Sequence, residues 1–194
     1  MIMTCPLRHR SRRRAEPARW TALVALCLLV VACGGVDENL AVDPSISPAM
    51  AAAMARTPPQ IISTGDALEC VPYARDVSGI AIRGDASTWW EAADGRYERG
   101  NLPRAGSVLV LKRKGGSSGH LAVITRVIEE RVVIARHANW LNRGRIHLNT
   151  PIRDVSAEGD WTAVRVWYTP GGVWGASTYP AHGFIYPPSD TAAR

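Results

Sequence analysis

The sequence predicts an α+β fold in which N-terminal helices pack on an antiparallel β-sheet. Two observations point there. Helical patterning comes first along the chain, and a run of strand-like segments follows it. Two of those segments, "GHLAVITRVIEE" and "RVVIARHANW", flank a short charged turn and read as a hairpin. At 194 residues the chain has room for one ordinary domain, and a hydrophobic content of 46% supplies its core.

The first helix is signalled near Gly65. Asp66 and Glu69 stand three apart, as in a capping box. Pro72 is tolerated only in a first helical turn, because deeper in a helix it removes a backbone donor and clashes. The helix therefore starts close to Cys70 and ends at Gly79, with Val71, Ala74 and Val77 as its apolar stripe. A second helical piece covers "DASTWWEAADG", capped by Asp85 or Ser87 and stopped by Gly95, with Trp89 or Trp90 in the core. Strands follow in "SVLVLKRK", in the hairpin, and in "WTAVRVWYTP", which alternates bulky apolar and other residues. "HGFIYP" reads as a last edge strand or an ordered tail.

The formal net charge of +6 suggests nucleic acid until the charges are located. Six arginines against Glu16 alone place +5 of it in residues 1–32. The remaining body is near neutral and has no field to attract a phosphate backbone, so no nucleic-acid partner is expected. The arginines precede an apolar run, Thr21 to Ala32, which is too short to span a bilayer and has the length of a signal-peptide core. It ends in "VVAC", and small residues before a cysteine look like a bacterial lipobox with Cys33 as the lipidated residue. Gly34 after Cys33 favours an outer membrane facing the periplasm. The expected organisation is a lipoprotein signal peptide over 1–32, an Ala/Pro/Ser-rich tether over 33–60, a catalytic domain over 61–186 and a tail over 187–194.

Export decides how the four cysteines are read. Cleavage before Cys33 removes Cys5 and Cys27, and lipidation consumes the Cys33 thiol. Cys70 is left as a free thiol in a compartment that oxidises thiols. It sits at a helix start, where unpaired N–H groups and the positive dipole end favour the thiolate. His120 follows the flexible "GGSSG" and opens an apolar strand, which would hold an imidazole rigidly. His137 and Asn139 are two apart in the pairing strand and share a face, so either could approach His120 across the hairpin; Asn139 is expected to orient it, with His137 as the alternative. Cys, His and a polar orienter in that order make a papain-like arrangement. Trp140, His137 and Tyr73 are candidates for a substrate groove, and His147 and His182 read as structural. Cys70, His120 and His137 lack any CxxC, HxxxH or HExxH spacing, so neither a metal nor another cofactor is expected.

The ordered segments "ALECVPYARDVSG", "GDASTWW", "LPRAGSVLVL", "GHLAVITRV" and "HANW" resemble the CHAP family of cysteine, histidine-dependent amidohydrolases and peptidases. The resemblance runs from about Ala67 to Tyr168. It implies a papain-like α+β fold, a Cys70 nucleophile, a His120 base and hydrolysis of peptidoglycan. The bond would be the muramoyl–alanine amide or one in the stem peptide. The family's third residue is commonly Glu or Asn, which Asn139 matches; many members carry a carboxylate two residues earlier, where this chain has His137. The protein is expected to act as a monomer held at the membrane by its N-terminal lipid. The alternatives are an inactive wall-binding lipoprotein of the same fold, or an amidase for a small peptide conjugate.

Overall fold

The computed structural model describes residues 45–112, 119–141 and 143–188. The expected leader, Cys33, the first part of the tether and the end of the tail lie outside the described residues. In chain order the elements are α1 (Pro48–Arg56), β1 (Gln60–Ile62), α2 (Cys70–Ser78), a 3₁₀ turn (Ala86–Thr88) running into α3 (Trp89–Ala92), β2 (Arg99–Gly100), β3 (Val108–Leu111), β4 (His120–Glu129), β5 (Val132–Ala138), β6 (Ile146–Asp154), β7 (Ala163–Tyr168), β8 (Val173–Trp174) and β9 (Tyr179–Ile185). No helix among the described residues is long and apolar enough to cross a membrane.

Few helices and an antiparallel sheet make the fold α+β, as the segment order predicts. The sheet runs β6-β5-β4-β3-β9-β7 and then closes, because β6 also pairs with β7 through Ile152↔Val166, Arg153↔Arg165 and Asp154↔Val164. The result is a six-stranded barrel, with β1, β2 and β8 attached to its strands. Closure removes edges that would otherwise present unpaired backbone. "HGFIYP" therefore belongs to a strand inside the ring: β9 pairs with β3 on one side and β7 on the other.

Side-chain alternation explains why β3 and β4 are apolar on both faces. Leu109, Leu111, Ala122 and Ile124 turn inward to a core with Val133, Ala135, Ile152, Trp161, Val166 and Phe184. Val108, Val110, Leu121 and Val123 turn outward and are covered by Ala74, Ile80, Ile82, Ala86 and Trp89 from α2, α3 and their connection. Gly79 ends α2 at φ +74, the conformation that glycine adopts without strain.

Besides the short strands β1, β2 and β8, two larger elements fall outside the sequence expectation. Helix α1 lies within the expected tether: Ser47 caps it by accepting the Met50 N–H at 3.1 Å, and Pro48 occupies its first turn. Met50 packs with Trp167 and Trp174 and with the half-buried Ile46, Met54 and Val132, so the folded body begins well before Ile61. Strand β6 is the second addition, and it contributes two residues to the candidate site.

Candidate active site

Cys70 is the first residue of α2, with Glu69 as N-cap in extended conformation and making no side-chain capping bond. The predicted helix start is thus correct, and the predicted capping box is not formed. The backbone N–H groups of Leu121, of Cys70 itself and of Val71 act on the Cys70 thiol, each favouring the thiolate, and Cys70 packs against the cluster that holds Leu121. The thiol therefore lies against the first residues of β4, beside His120 in the chain. Burial raises the thiol above its ordinary pKa; the Leu121 N–H opposes this, the Glu69 charge adds to it, and the helix-start N–H groups oppose it less. The helix start does act on the sulfur as expected, but burial outweighs it and the resting thiol is neutral.

His120 and His137 share the interior face of their strands with Ala122, Ile124, Val133 and Ala135. Their rings meet directly, with His120 Nε2 2.8 Å from His137 Nδ1. His137 Nε2 lies 3.3 Å from the Thr150 hydroxyl. Thr150 and His147 both belong to β6, and their odd spacing would send them to opposite faces of a regular strand. A bulge resolves this: between Ala135↔Thr150 and His137↔His147, β6 carries one extra residue, with Asn149 at φ +54. Both Thr150 and His147 consequently approach His137, whose ring centroid is 5.1 Å from that of His147.

These groups are enclosed. His120 is 8% exposed, His137 1%, His147 2% and Thr150 0%. Burial, aided by the neighbouring His147, drives the His120 pKa down to about 3. Burial and the Arg145 charge bring His147 to about 4, and burial with its two histidine neighbours puts His137 well below its usual value. All three imidazoles are neutral near pH 7. The chain of bonds then has two tautomer states. In one, His120 Nε2–H donates to His137 Nδ1 and His137 Nε2–H donates to Thr150, leaving a lone pair on His120 Nδ1. In the other every proton is reversed and His120 has no free lone pair. Only the first makes His120 a base.

Asn139 does not reach His120. Its φ of +59 ends β5 at Ala138 and breaks the alternation on which the expected contact depends. The Asn139 Oδ1 instead accepts the N–H groups of Arg143 and Gly144, each at 3.0 Å, and its Nδ2 donates to Glu69 Oε2 at 2.8 Å. The position beside His120 that was expected for Asn139 is filled by His137. His137 is thereby too enclosed to line a groove. Tyr73 is also removed from that role: it is buried with Ala138 and Ile146 between α2 and β5, and its hydroxyl accepts from Arg136 Nε at 2.7 Å. Trp140 remains half-buried over the pair, with its ring centroid 4.8 Å from His120, 5.5 Å from His137 and 4.9 Å from Tyr179. His182 stacks on Trp90 at 5.5 Å, apart from these groups. Among the described residues no group of three or more His, Cys, Asp or Glu side chains is arranged to hold a metal ion.

Thr150 and His147 were not identified from sequence as site residues. Pro151 argues against a strand interior, and the αL residue at Asn149 hides the period-two pattern of "IHLNTPIRD".

No curated protein matches the chain. The model of the CHAP domain matches residues 62–139, a span that holds Cys70, His120 and His137. That family is generally one of hydrolases, amidases and peptidases associated with peptidoglycan. The order of motifs and the site just described thus accord with that match, and residues 62–139 of this chain are similar to a CHAP domain.

Proposed function

We propose that the protein is an exported lipoprotein that hydrolyses an amide of peptidoglycan, either the muramoyl–L-alanine bond or one within the stem peptide, by a papain-like cysteine mechanism. The observation that carries this reading is the bonded series His120–His137–Thr150, with His120 next in the chain to Leu121, whose cluster Cys70 packs against. Cys70 is the nucleophile, His120 the base and His137 the group that fixes its tautomer. Because thiol and imidazole both rest neutral, the proton passes from Sγ to His120 Nδ1 as the sulfur attacks the carbonyl. Backbone N–H groups at the start of α2 face the oxyanion. The leaving amine takes the proton from His120, and water cleaves the thioester to restore the thiol. No cofactor enters the reaction. A leader over residues 1–32 and lipid on Cys33 would hold the enzyme, as a monomer, at the outer membrane facing the wall.

Digestion of purified sacculi followed by mass analysis of the released muropeptides tests this and identifies the bond. Wild-type protein releases fragments, while Cys70→Ala and His120→Ala stay folded and release none. Full release by folded Cys70→Ala would refute the mechanism. The Cys33→Ala form should remain unlipidated, and its recovery with lipid attached would refute the anchor.

A further inference from the structure

The residue expected to orient the base is instead bonded to the nucleophile's own segment. Asn139 closes a turn by accepting the N–H groups of Arg143 and Gly144, and its Nδ2 donates to Glu69, the residue immediately before Cys70. The same turn touches that segment twice more. Gly144 O accepts the Leu68 N–H at 3.0 Å, and a Cβ on Gly144 would stand 2.4 Å from Ala67 Cα. Residues 67–69 are therefore seated on the turn by an amide–carboxylate bond, a backbone bond and a contact that only glycine allows. The turn begins where β5 ends, two residues after His137. We propose that Asn139 is a positioning residue for the nucleophile, holding Glu69 so that Cys70 is delivered to the His120–His137 pair in register. The proposal rests on the reading of Cys70 as nucleophile, but its geometry concerns the thiol alone.

Glu69 also bears on the thiol through its charge, which raises the Cys70 pKa alongside the larger effect of burial. A fixed Glu69 thus sets both where the sulfur sits and how readily it ionises.

A polarity swap tests the bond. Asn139→Asp keeps oxygens for the Arg143 and Gly144 N–H groups but sets a carboxylate against Glu69. It should slow iodoacetamide labelling of Cys70 at neutral pH and lower kcat/KM for muropeptides by about 10- to 100-fold, the scale of a misplaced reacting group. Adding Glu69→Gln reverses donor and acceptor, restores the bond and keeps the pair's charge; both readouts should return to within about threefold of wild type. A role confined to His120 would not be rescued from position 69. Native labelling in folded Asn139→Asp, or no recovery in the double variant, overturns the proposal. If Asn139→Asp does not fold, Glu69→Ala and Glu69→Gln decide: both remove the charge, and only glutamine keeps an acceptor for Asn139. Glu69→Ala should then turn over about tenfold more slowly than Glu69→Gln, and equal rates overturn the proposal. Labelling is measured without substrate, so it remains interpretable even if Cys70→Ala proves active on sacculi.

Discussion

Replacing His137 by Glu should move the acid limb of activity into an easily measured range. His120 now faces a neutral imidazole at 2.8 Å, and its pKa lies at about 3. Protonation removes the base, so between pH 5 and 8 the wild-type kcat/KM should show no loss from His120 titration. A carboxylate at position 137 would accept the same Nε2–H and favour the imidazolium. With the charges ~4 Å apart and an effective dielectric of about 20, the attraction is about 4 kcal/mol. At 1.36 kcal/mol per unit that is about three units, which carries His120 from about 3 to about 6. The sign is fixed: a raised base pKa costs activity at low pH. In His137→Glu the value of kcat/KM should fall about tenfold between pH 7 and pH 5, while His137→Gln stays level. Titrating the His120 imidazole by ¹⁵N NMR gives the same pKa without substrate. A folded His137→Glu protein with a level profile and an unmoved His120 resonance would refute the coupling drawn between residues 137 and 120.

Other expectations follow from burial and close contact. His120 and His147 have pKa values depressed to about 3 and about 4 in the fold. Their stabilisation is therefore present above the unfolded value near 6.5 and is lost as pH falls below it, by about 2 kcal/mol for each at pH 5; thermal melting from pH 8 to 5 should show a steep fall in Tm, and a flat one would contradict it. Gly144→Ala places a methyl group 2.4 Å from Ala67 Cα at a φ of +62, and should destabilise the fold by more than about 1 kcal/mol and slow Cys70 labelling; a neutral outcome in urea unfolding would contradict the packing described. Met50→Ala should cost about 2–5 kcal/mol, since Met50 is 1% exposed against Trp167 and Trp174; a change confined to a few tenths would mean that α1 is not part of the folded body.

What was legible in the sequence was regular. Strands β3, β4, β5 and β7 carry unbroken period-two or fully apolar patterns, and the Cys70–Gly79 helix is bounded by residues with one conformational meaning each. What was missed lies where one residue leaves the regular backbone. Asn139 at φ +59 turns a same-face argument into a wrong partner for His120, and Asn149 at φ +54 disguises the strand that brings Thr150 to His137. Helix α1 was hidden for a different reason: its "PAMAAAMAR" has linker-like composition, although Ser47 followed by Pro48 is a helix-start signature. The pairing of His137 with His120 was open to sequence reasoning as one of two possibilities, and choosing between them required the backbone angle at residue 139.

The two-residue turn at Glu130–Arg131 has a consequence for the order in which the site assembles. It joins β4 to β5, so His120 and His137 belong to one hairpin, a unit that closes in microseconds because its contacts are local. Cys70 arrives from far earlier in the chain, and its setting also depends on the turn that Asn139 closes. The base and its support should therefore assemble first, and the sulfur last. Until α2 docks, the thiol lacks its packing against the cluster of β3 and β4. A chain still folding would carry its Cys70 thiol apart from the paired imidazoles, and the complete site would appear only with the final long-range contact.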